Sequence, residues 1–276
     1  CVIMENHAAV VGGRSILEAL QRLETFELCA GIIINASKLG NYKKLNGDQL
    51  TLPAAAEIPV SFTQQEIHSD EEEKLRESMC RFVKRSCRQG LMLSSIGAVS
   101  TRMGNNSILI TPIQVDRSEI KPGDIVKIKN GSSEPGKIPD SSIKLHLSIY
   151  REHPDIRSIM LSIPTYTMAF GVTGNSMDTR TTPESYVLVG DVPLIPFSKD
   201  EEKINKITEL LSHRTHCMIV ENDELVVTGQ SLLQTYERLE VVESTAKSII
   251  QLKHIGTASP ISETDLKNLE SKFLAS

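Results

Sequence analysis

The sequence predicts an α/β protein in α/β/α layers, with a mainly antiparallel central sheet flanked by helices. Three observations carry that reading. Segments with apolar residues at helical spacing and polar caps are mixed with short apolar runs of strand type. Those runs are joined chiefly by tight turns such as Gly104-Asn105-Asn106 and Asn130-Gly131, which suit hairpins better than the long crossovers of a doubly wound parallel sheet. Finally, one strand-turn-strand-helix unit occurs twice.

The repeat sets the reading of the N-terminus. Residues 1–40 align without a gap on residues 217–256 and are identical at more than a third of the 40 positions, far above chance, which marks a duplication. Each copy reads as strand, tight turn, strand and long helix, the helix opened by Ser15 or Ser231 and closed by Gly40 or Gly256. Apolar residues recur at helical spacing in both: Leu17, Leu20, Leu23 and Leu28 in one, Leu233, Tyr236, Leu239 and Val242 in the other.

After the first copy, Asn41 to about Thr63 reads as a linker containing Gly47, Pro53, Pro59 and three successive alanines. Ser69 is a candidate N-cap, and the acidic run Asp70–Glu73 faces the positive end of the helix that follows, which runs to Gly90; the run reads as a solvated helix start. Two short strands flank the turn at Gly104, and a third, Asp124–Lys129, ends at Asn130-Gly131. A helix at Ser142–Tyr150, an apolar strand at Ile156–Ser162, a further helix, strands near Tyr186–Val189 and Leu194–Phe197, and a helix at Asp200–Leu211 lead into the second copy. The expected organisation is therefore a C-terminal strand-strand-helix remnant of a first domain at 1–45, a linker at 46–65, and a near-complete domain at 66–276. A remnant of that size is too small to bury a core of its own, so the chain is expected to be a piece of a longer two-domain protein.

Composition narrows the function classes. Apolar residues at 39% and charged residues at 24% of 276 fit a globular protein with a packed core. A net charge of −5 and 4% aromatic residues give no basic stripe and no stacking platform, so nucleic acid is not expected as a partner. No apolar run approaches the roughly 20 residues that span a bilayer, and no signal peptide is recognisable, so the expectation is a cytoplasmic protein without membrane contact. Five cysteines, none spaced as CxxC, read as reduced, buried thiols.

From Glu66 onward the order of motifs resembles the class II aldolase/adducin head family. Gly97-Ala98-Val99-Ser100-Thr101-Arg102 is similar to the family segment G-N-V-S-x-R, Ile110-Thr111-Pro112 to its I-T-P-[ST]-G loop, and Ile120–Val126 to the turn that follows. Pro139–His146 resembles P-S-S-E-x-x-x-H, while Glu5-Asn6-His7 and Glu221-Asn222-Asp223 both fall on N-H-G. The resemblance implies a divalent cation held by three imidazoles, two from an H-x-H strand end and one from N-H-G. It also implies a Glu that moves protons and a loop that cradles a sugar phosphate. Family sites lie at subunit interfaces and class II aldolases are typically tetramers, so a homo-oligomer or a second aldolase-like domain is the expected partner.

This chain departs from that pattern at each chemical position. The H-x-H falls on Leu161-Ser162-Ile163, the third imidazole on Asp223 and the Glu on Ser142. Leu and Ile coordinate no metal, so no cofactor is expected in the complete domain. In the anion loop Ala98 replaces Asn and Ile113-Gln114 replace [ST]-G, leaving Ser100, Thr111 and Ser141 as its remaining hydroxyls. His7 occupies a zinc-ligand position. It reads either as a ligand whose partners belong to an intact first copy, where zinc is possible, or as a polar strand-end histidine. His146 reads as an inward-facing helix residue with one hydrogen bond. An HxxH pair at His213 and His216 offers a weaker metal reading.

Two functions follow. One is an inactive aldolase-fold domain with an assembly or scaffolding role; the other is a zinc-dependent aldolase acting on a small sugar phosphate through the first copy. The helix at Ser15–Leu39 also carries an apolar stripe, including Leu17, Leu20, Leu23, Phe26 and Ile33, and each such side chain gains roughly 1.5–3 kcal/mol on burial. Its cover is expected on a neighbouring subunit or another segment rather than on residues 66–276.

Overall fold

The computed structural model describes residues 1–47, 49, 68–104, 106–253, 255–257 and 259–274. Most of the expected linker, and the first two residues of the expected second domain, lie outside these. The first copy of the repeat forms β1 (Val2–Met4), β2 (Ala8–Val10) and α1 (Ile16–Ala36). Next come α2 (Asp70–Arg88), β3 (Ala98–Arg102), β4 (Ser107–Ile110), β5 (Val126–Lys129), β6 (Ser132–Ser133), α3 (Ile143–Glu152), β7 (Ser158–Ser162) and α4 (Thr165–Thr173). The chain continues through β8 (Leu194–Ile195), α5 (Asp200–Leu210), β9 (Cys217–Val220), β10 (Leu225–Gly229), α6 (Leu232–Leu252) and α7 (Glu263–Phe273).

Eight strands make one sheet in the order β6-β5-β4-β3-β7-β10-β9-β8, antiparallel except for the β8–β9 pair. Alternation along the strands builds the layers. Val99, Met160 and Val227 face one apolar cluster with α2, α4 and α6, while Ala98, Leu161 and Val226 face another with α3 and α5. Among the described residues no helix is long and apolar enough to cross a membrane.

The two copies of the repeat fold alike locally. Ile3 pairs with Ala9 as Ile219 pairs with Leu225, and Asn6 and Asn222 take the same left-handed turn at φ 51° and 54°. Ser15 and Ser231 each accept a hydrogen bond from the amide three residues on, at 3.1 Å. Both helices stop three residues short of the expected ends, at Ala36 and Leu252.

Several expectations are corrected. The acidic helix start is not uniformly solvated: Glu72 is 1% exposed and holds Arg76 at 2.6 Å and Lys127 at 2.8 Å, because Arg76 is itself buried and needs a partner. Tyr186–Val189 is a π-type helical turn rather than a strand. Its β-branched pattern is overridden by packing on α6 and by Tyr186, which stacks under Arg214 at 4.4 Å and donates to Glu270 at 2.5 Å. Cys80 and Cys217 are buried, but Cys1 and Cys29 are exposed. Helix α7, capped by Ser262, was not anticipated. Finally, α1 finds part of its cover on residues 66–276, since Leu28, Ile32 and Ala36 join the core there, whereas Leu17, Leu20, Leu23 and Ile33 stay exposed.

Candidate functional site

The sheet brings the three imidazole positions of the resemblance to one end. Ser162 faces Leu225 across the β7–β10 ladder, so Ile163 and Asp223 both lie just past the paired strand ends. Leu161 sits one step inside, opposite Ala98 on one side and Val226 on the other, and is 1% exposed. Ile163 is half-buried and packs into the opposite apolar layer, because the chain leaves the strand and enters α4 through Pro164. The two side chains therefore serve two hydrophobic layers.

Asp223 closes the β9–β10 turn, where its carboxylate accepts from Lys203 of α5 at 2.9 Å. The same ammonium reaches Glu224 at 3.2 Å. Burial raises the Glu224 carboxyl to about 7, with the neighbouring Asp223 charge adding to the effect and Lys203 opposing it. Burial pulls the Lys203 ammonium down, but the attraction of Glu224 and Asp223 outweighs it and the net shift is upward. Next door, Glu221 accepts from Lys43 at 2.6 Å, and the Lys43 amide donates to Val172 at the end of α4. Gly174, at φ 72°, leaves room for the Lys43 side chain: a Cβ there would stand 2.6 Å from it. The charged groups at this end of the sheet thus neutralise one another, and two apolar side chains fill the rest. That donor set does not fit a divalent cation held by three imidazoles.

The positions of the anion loop converge at the same end of the sheet, beside Leu161, whose carbonyl lies against Gly97. Asp140, at the first Ser of P-S-S-E, accepts from Arg117 at 2.9 Å and from the Ser142 hydroxyl at 2.7 Å, and its amide donates to the Thr111 carbonyl at 3.0 Å. Arg117, 2% exposed, also donates to Gly97 O at 3.1 Å and to Val115 O at 2.8 Å. Gln114, at the position that the resemblance aligns with Gly, has a left-handed φ of 60°, a conformation that suits Gly better. Thr111 accepts from the Val99 amide at 3.1 Å, and Ser141 is exposed. A carboxylate therefore stands in the cradle, and the Arg117 guanidinium beside it is already paired.

Ser100 is not part of this cluster. Its hydroxyl lies under α3, 2.6 Å from His146 Nδ1 and 2.8 Å from the Tyr150 hydroxyl. His146 has the single hydrogen bond read from the sequence; its Nε2 is buried without a partner, and burial lowers its pKa to about 3. His7 is exposed on the β1–β2 turn. Sequence reasoning missed Arg117, Asp140 and Lys203. Asp140 was legible as a carboxylate inside a Ser-Ser motif; Arg117 and Lys203 carried no local signal.

Comparison with known proteins gives a consistent picture. The profile described as Class II Aldolase and Adducin N-terminal domain matches residues 77–250. The 3-oxo-tetronate 4-phosphate decarboxylase of Escherichia coli O6:H1 is 27% identical over 187 residues, 66% of this chain and 88% of that protein. The L-fuculose phosphate aldolase of Methanocaldococcus jannaschii is 30% identical over 160 residues, 56% of this chain and 84% of that protein. Among solved structures, Escherichia coli YgbL superposes with a TM-score of 0.67 at 24% identity, over 72% of this chain and 99% of that one, a likeness of fold.

Proposed function

The chain belongs to the class II aldolase and adducin N-terminal domain family, and we propose that within it residues 66–276 serve as a structural rather than a catalytic domain, with a role in assembly. The single observation that carries this is Leu161. At the first imidazole position it is a core residue, wedged between Ala98 and Val226 and 1% exposed, so the position contributes to folding and offers nothing to a metal. The Asp223–Lys203 pair supports the same reading, because an ammonium occupies the carboxylate that could have received a cation. So does Asp140: a fixed negative charge in the cradle opposes a phosphate, and Arg117 is committed to that carboxylate.

The decarboxylase and the aldolase named above carry the names of enzymes; this domain has kept the fold and lost the reaction. The experiment is elemental. The full chain, incubated with excess zinc or manganese and then dialysed, is expected to retain well under one metal ion per chain by inductively coupled plasma mass spectrometry. Stoichiometric retention, abolished by Asp223→Ala, would overturn the reading.

A further inference from the structure

The two copies of the repeat use opposite faces of the same helix. In α6 the face that meets the sheet carries Leu232, Tyr236, Leu239 and Ile250, all buried. The repeat places Ile16, Leu20, Leu23 and Ile34 at those positions in α1, and all four are exposed, Ile16 at 91% and Ile34 at 60%. The outward face differs in the other sense. Ser244, Lys247 and Ser248 of α6 correspond to Leu28, Gly31 and Ile32 of α1, and Leu28 and Ile32 are buried where α1 lies on α4. Gly31 sets the closeness of that crossing, since a Cβ on it would stand 2.8 Å from Thr165. The side that is polar in α6 has thus become an apolar docking face in α1, and the side that α6 buries has stayed apolar in α1 with no partner among the described residues.

The hairpin tells the same story. β10 pairs with β7 on one edge and with β9 on the other, and β9 pairs with β8, whereas among the described residues β1 and β2 pair only with each other. Two free strand edges and a free apolar helix face stand together on residues 1–36. A second copy of this chain cannot fill them as the repeat prescribes, because its β7 already carries β3 on one edge and β10 on the other.

We propose that residues 1–36 act as a bracket between two aldolase-like sheets: one face of α1 is locked onto α4, and the other face, with the free edge of β2, completes a sheet that lacks its own last hairpin and helix. The occupant is the strand equivalent to β7 of that second sheet, paired with β2 in the register Leu225 makes with Ser162. The inference rests on the repeat and does not depend on the metal reading.

The test places residues 68–216 of this sequence in front of Cys1 of the full chain, so that His216 precedes Cys1 as it precedes Cys217. Amides of residues 2–10 and 16–34 are expected to exchange hydrogen roughly 100-fold more slowly than in the unextended chain, and Leu20→Asp with Leu23→Asp should abolish the gain. In the unextended chain that same pair should leave Tm unchanged, while Gly31→Lys should lower it by detaching α1. Unchanged exchange in the extended chain, whether or not the added segment folds, overturns the proposal. A fall in Tm of the unextended chain from the Leu20/Leu23 pair, or a dimer in sedimentation that this pair dissociates, also overturns it, because the face would then already be covered.

Discussion

Arg117 and Asp140 are joined across 2.9 Å at the point where the segment before β3 meets those after β4 and β6. Burial pulls the Arg117 guanidinium down from its ordinary value, and the Asp140 charge opposes that. Asp140→Ala leaves a buried cation with only carbonyl partners and should cost about 3–5 kcal/mol. Urea titration measures it; Asp140→Ser should cost a similar amount, and a near-neutral result for either would mean that the carbonyls of Gly97 and Val115 satisfy Arg117 alone.

The buried cluster of Glu72, Arg76, Lys127 and Glu134 predicts an acid limb. Burial would raise the Glu134 carboxyl, but hydrogen bonds and charge from Arg76 and Lys137 win and hold it at about 2. A carboxylate with a depressed folded pKa stabilises the fold above its unfolded value of 4.5, and the contribution disappears as pH falls to about 2. Glu134→Gln should therefore lower stability by about 3 kcal/mol at pH 7, and the gap to the parent should close between pH 4.5 and 2. Denaturant titrations across that range would show a constant gap if the cluster were not responsible.

His146 predicts a slope at higher pH. It is buried and neutral, with a folded pKa of about 3 against an ordinary 6.5. Between those values the unfolded chain binds a proton that the folded chain refuses, so stability falls as pH falls, by about 1.4 kcal/mol per unit. His146→Gln keeps an acceptor for Ser100 and should reduce the slope by one proton between pH 6 and 4. His216, lowered by burial to about 4, adds a second proton to that limb, while Glu224, raised to about 7, opposes both between pH 7 and 4.5. An unaltered slope in His146→Gln would place the proton elsewhere.

The fold was readable because its signals are local. Ser15, Ser69, Ser231 and the Asn130-Gly131 turn each fix a chain reversal or a helix start by their own chemistry, and β7 is apolar enough to demand a central place. That Leu161, Ile163 and Asp223 are not imidazoles was equally direct, since it is a matter of residue identity. The partners these positions find were not readable. Lys203 reaches Asp223 from 20 residues upstream, Lys43 reaches Glu221 across 178 positions, and Arg117 finds Asp140 across 23; such pairs exist only once the sheet has assembled. The π-type turn at Ser185–Val189 failed for the same reason, since its strand-like sequence is overruled by α6 packed against it.

The last prediction concerns restoration. Leu161→His, Ile163→His, Asp223→His and Ser142→Glu together return the donor types that the resemblance assigns to these positions. The first change puts an imidazole between Ala98 and Val226 in an apolar layer, and the third removes a partner of Lys203, so the variant should lose about 3–5 kcal/mol of stability before any metal is added. Zinc should then raise its Tm only slightly, because the side chains at 161 and 163 face opposite layers and the folded state brings no more than two of the imidazoles together. Turnover of a sugar phosphate should still be absent, since Ala98, Gln114 and Asp140 leave the anion cradle without its donors and with a negative charge in it. Calorimetric zinc titration and an aldol-cleavage assay separate the two claims. Cleavage in the fourfold variant would mean that the cradle still works, and the account of Asp140 as its blocking charge would be wrong.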